Sequence, residues 1–173
     1  MLVMLAFWLL VITLLIILFA YDARWFLLPD VITYPLIVLA LAYTTYSVAT
    51  SPGVPELALS TTVSVLFLGG LYLVLWLLSK GTWVGFGDVK LGLALGLLLL
   101  DWRLAFLTLF LANLIGVLYV LPGLLSKRLS RRSQVPFGPF LIAGFMVALL
   151  FGSQLIGLYD HLTVWVASVT LMV

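Results

Sequence analysis

The feature that most constrains this chain is the length of its uncharged stretches. No Asp, Glu, Lys or Arg interrupts residues 2–20, 31–55, 57–79, 91–100, 104–126, 133–159 or 162–173. A helix rising 1.5 Å per residue needs about 20 apolar residues to cross a hydrocarbon core about 30 Å thick. Five of the stretches are that long. Soluble domains carry about 25% charged residues, whereas this chain has 8%, with 65% hydrophobic residues. That balance excludes a cytosolic enzyme, a secreted domain and a disordered chain. The net charge of +2 is too small for a nucleic-acid partner.

The stretch 91–100 is too short to span. It must still reach the opposite face, because the polar turn Asp101-Trp102-Arg103 precedes the next full-length run. The sequence therefore predicts a short fourth helix that starts below the membrane surface, with residues 81–87 dipping inward. The expected fold is all-α: a polytopic integral membrane protein forming a single domain over 1–173. Its six predicted transmembrane helices cover about 2–20, 31–48, 57–79, 88–100, 104–125 and 137–157. The uncharged tail 162–173 is too short to add another span. The first helix reads as a retained span, since it has neither a basic leading region nor an Ala-x-Ala site before Tyr21. Lys and Arg gather on the cytoplasmic side of membrane proteins. Arg24, Lys80, Lys90, Lys127, Arg128, Arg131 and Arg132 fall in the connections after helices one, three and five, against Arg103 alone on the other side. The amino terminus is thus expected outside, and segments 21–30, 80–90 and 126–136 in the cytoplasm.

Chemistry is scarce in such a chain. With no cysteine, His161 is the only residue besides the carboxylates suited to metal binding or general-base work. It stands beside Asp160 on the predicted outer side, where an interfacial role fits better than a ligand's, so neither metal nor cofactor is expected. Six acids remain: Asp22, Asp30, Glu56, Asp88, Asp101 and Asp160. Asp22 and Asp88 are separated by one outward and one returning helix, which delivers both to the same face. Two carboxylates sharing a proton divide into an acid and a base and can hydrolyse an amide. Gly85 and Gly87 precede Asp88 in Gly-Phe-Gly-Asp and lack the Cβ that would oppose a positive φ or the approach of an extended substrate. On the residues alone, Asp88 reads equally as a cap on the fourth helix.

Three blocks together resemble the type IV prepilin peptidases, polytopic aspartic proteases of the prokaryotic cytoplasmic membrane. They are Asp22-Ala23-Arg24-Trp25-Phe26-Leu27-Leu28-Pro29-Asp30 followed by Thr33, then Gly85-Phe86-Gly87-Asp88-Val89-Lys90-Leu91, and Val135-Pro136-Phe137-Gly138-Pro139-Phe140. The resemblance covers about residues 10–150. It implies that Asp22 and Asp88 are the catalytic pair, that the partners are type IV prepilins or pseudopilins, and that cleavage falls after a Gly, ahead of a hydrophobic helix. Nothing here corresponds to the amino-terminal portion with paired cysteines found in members that also methylate the new amino terminus. The expectation is a minimal peptidase, or the peptidase portion of a longer chain.

The other singled-out residues carry simpler expectations. Asp30, after Pro29, is expected to cap the second helix, and the family also uses Asn there. Arg24 anchors the chain at the headgroups. Lys90 either orients Asp88, contacts substrate or serves topology. Pro136 and Gly138 form a wall of the site or start the sixth helix. Gly92 and Gly96 allow close helix packing, and Asn113 and Gln154 hydrogen-bond across helices. Lys127, Arg128, Arg131 and Arg132 meet anionic lipid. Nothing in the sequence sets an oligomeric state. Three rival functions were weighed. A presenilin-like protease lacks its Pro-Ala-Leu motif here. An ion-coupled transporter calls for acids deep in its helices, and a scaffold leaves the three blocks unexplained.

Overall fold

A computed structural model describes residues 1–126 and 135–170, with side chains through residue 163. Lys127, Arg128, Arg131 and Arg132 lie outside the described residues. The described chain is helical: α1 (Leu2–Trp25), α2 (Asp30–Thr50), α3 (Val54–Val65), a π turn (Leu66–Gly70), α4 (Leu71–Ser79), α5 (Phe86–Leu99), α6 (Trp102–Leu125) and α7 (Gly138–Thr170). The segment from α3 through α4 is one rod, Val54–Ser79. It is one of five helices long and apolar enough to cross a membrane, with Leu2–Trp25, Asp30–Thr50, Trp102–Leu125 and Gly138–Thr163. At 14 residues, α5 spans only about 21 Å.

This short helix is the centre of the molecule. From Leu91 to Leu99 all but one of its residues are buried, and it packs against α2, α3, the π turn, α4, α6 and α7. A helix apolar on every side belongs in such a position. Contact with the rod is backbone to backbone: a Cβ on Gly92 would lie 2.5 Å from the Leu68 carbonyl oxygen, and one on Gly96 2.8 Å from the Val65 Cα. The expected Gly-x-x-x-Gly packing is therefore present, and the π turn lies directly against it. Lipid supplies no hydrophobic drive between helices, so small residues and interhelical hydrogen bonds do that work. The bonds come from Ser64, whose Oγ donates to the Gly96 carbonyl at 2.8 Å, and from Thr44, whose Oγ1 donates to the Leu97 carbonyl at 2.7 Å. Asn113 and Gln154 do not contribute as expected. Asn113 donates to Leu109 in its own helix, and Gln154 accepts from the adjacent Ser153. Both sit on outward faces. Between α6 and α7 a similar approach occurs at Gly144, where a Cβ would lie 2.6 Å from the Thr108 carbonyl oxygen.

Two boundaries differ from the sequence expectation. No Gly or Pro stands between Ala20 and Trp25, so α1 continues past residue 20 and closes only at Phe26, which takes φ 55° and donates its N–H to the Asp22 carbonyl. Asp22 thus occupies the last turn of the helix rather than the loop beyond it. Similarly, nothing after Gly157 breaks α7. Asp160 and His161 are carried on an unbroken 33-residue helix that absorbs most of the supposed tail.

Candidate active site

One end of the bundle collects the C-terminal turn of α1 and the N-terminal turns of α2, α5 and α7. Asp22 is 6% exposed there, and its Oδ2 accepts the backbone N–H of Gly138 at 2.9 Å. Gly138 opens α7, so the positive end of a helix dipole faces the carboxylate. The approach is tight: a Cβ at Gly138 would stand 2.7 Å from that same oxygen. Gly138 therefore holds the acid directly, which is more specific than the wall expected from sequence. Pro136 lies in the non-helical lead-in to α7.

Asp88 is the third residue of α5. Its Oδ2 accepts the Gly85 N–H at 3.2 Å, and its own N–H donates to the Gly85 carbonyl at 3.1 Å. The capping role is thus real, and it fixes the carboxylate without excluding chemistry. Gly85 and Gly87 are not used for a positive φ, because the one glycine at positive φ is Gly81 among the described residues. Gly85 is ordinary extended backbone, with φ −73° and ψ 149°. Gly87 makes room for Leu28, since a Cβ there would lie 3.0 Å from the Leu28 Cβ. That contact seats the start of α5 on the segment that follows Asp22. Asp22, in the last turn of α1, and Asp88, in the first turn of α5, thus stand at the same end of the bundle.

Lys90 turns away from Asp88. Its ammonium pairs with Asp30 and lies over the rings of Tyr34, at 4.8 Å, and Phe86, at 5.3 Å. Asp30 correspondingly is not the cap of α2. Pro29 holds that position without a side-chain bond, and Asp30 is the first helical residue, its carboxylate occupied by Lys90. The pair ties α2 to α5. Arg24 stacks over Trp25 at 5.1 Å.

Sequence reasoning missed Tyr72. Only 3% exposed, its ring lies 5.4 Å from that of Phe137, the residue before Gly138, and its hydroxyl bonds to no described residue. Its position inside an apolar run offered no signal. A cavity of about 310 Å³ between α6 and α7 opens beside Phe137 and is lined by Asn113, Gly116, Val117 and Phe140. Among the described residues no three of His, Cys, Asp or Glu come together as a metal site would require. Two carboxylates whose charges interact cannot both ionise cheaply, and this is the condition for one to act as acid and the other as base.

Comparison with known proteins bears on this arrangement. Residues 9–121, which include both aspartates, match the type IV leader peptidase family. Among relatives named prepilin leader peptidase/N-methyltransferase, the one from Legionella pneumophila is 32% identical over 164 residues, covering 91% of this chain and 54% of the relative. That from Aeromonas salmonicida (strain A449) is 30% identical over 145 residues, covering 84% and 46%. The Bacillus subtilis (strain 168) relative is 40% identical over 76 residues, covering 44% and 30%. The chain thus spans about half the length of the first two. No solved structure matches it significantly.

Proposed function

The chain belongs to the type IV leader peptidase family, and from that premise we propose that it is an aspartic endopeptidase of the bacterial inner membrane. It removes the short basic leader from type IV prepilins or pseudopilins at the cytoplasmic face. The observation that supports this reading is that different helices deliver Asp22 and Asp88 to one end of the bundle, where backbone N–H groups of Gly138 and Gly85 hold their carboxylates. Water between them attacks the scissile carbonyl carbon and gives its proton to the ionised aspartate. The protonated partner passes its own proton to the carbonyl oxygen, forming a gem-diol. Collapse of the gem-diol breaks the C–N bond, and a proton returned from the dyad leaves with the amine. The amino terminus lies outside, and the loops carrying most of the basic residues lie in the cytoplasm.

Membranes containing the full chain and a co-expressed prepilin test the assignment. Asp22→Asn and Asp88→Asn are each expected to reduce leader removal to about 1% of wild type or less. Asp30→Asn, which removes only a surface ion pair, retains activity. Full cleavage by either dyad mutant, normally inserted, overturns the mechanism.

A further inference from the structure

Two buried hydroxyls make no hydrogen bond to any described residue, those of Thr108 and Tyr72. Thr108 lies along the α6–α7 contact, where Gly144 presses on its carbonyl. Tyr72 is different. It follows the π turn Leu66–Gly70 by two residues, and a π turn shifts the register of everything after it, a device frequent at functional sites. The shift leaves the ring against Phe137, next to the Gly138 that holds Asp22. A buried polar group with no partner is costly, and it persists where function or a bound group accounts for it. Here the unpartnered donor belongs to a ring packed on Phe137, one residue before the glycine whose N–H holds Asp22.

We propose that Tyr72 is a third catalytic residue, whose hydroxyl donates a hydrogen bond to the oxygen on which the aspartates act. That oxygen is first the scissile carbonyl and then the gem-diol hydroxyl it becomes. The inference rests on the peptidase reading and adds a group to it. Tyr72 keeps its proton throughout: the carbonyl oxygen receives its proton from the protonated aspartate, and the phenol stabilises the charge that develops before that transfer is complete. A donor placed this way supports the transition state more than the ground state.

The test uses the full-length protein in lipid with a cleavable prepilin. Tyr72→Phe keeps the ring and removes the donor. It is expected to lower kcat about 100-fold, the effect of losing one such donor, with KM within about twofold. A non-cleavable junction analogue bearing a tetrahedral hydroxyl should bind wild type more tightly than its deoxy counterpart, and Tyr72→Phe should lose that preference. A ring that only packs predicts neither change, and kcat within about twofold with the preference intact overturns the proposal. If the Phe variant fails to insert, 4-aminophenylalanine and 4-methylphenylalanine at position 72 decide, because both fill the volume and only the first donates. Activity in the amino variant alone supports the proposal, and equal activities overturn it. The peptidase reading fails separately, through a wild type that cleaves no prepilin or an Asp88→Asn variant that still does.

Discussion

Gly138 carries two demands at one residue: its N–H must reach Asp22 and its α-carbon must bear no side chain. An added methyl would stand 2.7 Å from Oδ2 and 3.2 Å from Cγ of Asp22, closer than real contacts allow. Asp22 is boxed in by burial, so Gly138→Ala should displace the carboxylate by a fraction of an ångström to an ångström. Misplacement on that scale costs up to about 100-fold in rate. The expected result is a fall of 10- to 100-fold in kcat/KM for prepilin cleavage, with insertion and melting temperature close to wild type. A loss below threefold would mean that this contact does not set the position of Asp22. The arrival of Asp22 and Asp88 at one end was legible from sequence because acids are so rare in an apolar chain that two on one face stand out. Tyr72 was not, since it is one of seven tyrosines and its isolation exists only once α4, α5 and α7 surround it. Lys90 and Asp30 were each legible as charges near the site. Their mutual pairing was not, because it joins turns of two helices that are distant in sequence.

Among the helices, α5 shows how a segment too short to span earns its place by being buried on all sides. Its fit depends on Gly92, where an added Cβ would meet the Leu68 carbonyl at 2.5 Å, and a backbone atom cannot swing aside. Gly92→Ala should therefore separate α5 from the π turn and destabilise the protein by about 1–3 kcal/mol, as overpacking does. Gly157→Ala, with nothing within 4 Å of its Cβ, should leave stability unchanged or slightly raised by the better helix propensity. Unfolding of the two variants in detergent separates them; equal stabilities would remove the packing account. The number of helical segments was legible because charged residues lie in or close to the breaks between the long apolar runs. Their ends were less so. α1 stops at Phe26 in a left-handed conformation that no Gly or Asn announces, and α7 passes through Asp160 and His161 because two exposed polar residues on a helix break nothing.

For the molecule as a whole, parity does most of the work. Each odd-numbered connection returns the chain to the end that holds the dyad, and the contacts of Gly138 with Asp22, Gly87 with Leu28 and Lys90 with Asp30 fasten that end together. At the other end Trp102 donates its N–H to Ser60 and Thr61 its hydroxyl to the Leu100 carbonyl. Which end faces the cytoplasm is an electrostatic question, and the proposed function takes the bias of basic residues to put the dyad end there. The absence of native cysteine makes that testable, since any introduced thiol is the sole one. Pro52→Cys, in the exposed turn between α2 and α3, should react with a membrane-impermeant maleimide in intact cells whose outer envelope has been opened. Thr82→Cys, exposed between α4 and α5, should react only after the inner membrane is permeabilised. The reverse pattern would place Asp22 and Asp88 on the outer face, away from newly synthesised prepilin leaders. It would end the cytoplasmic reading while leaving the geometry of the dyad unchanged.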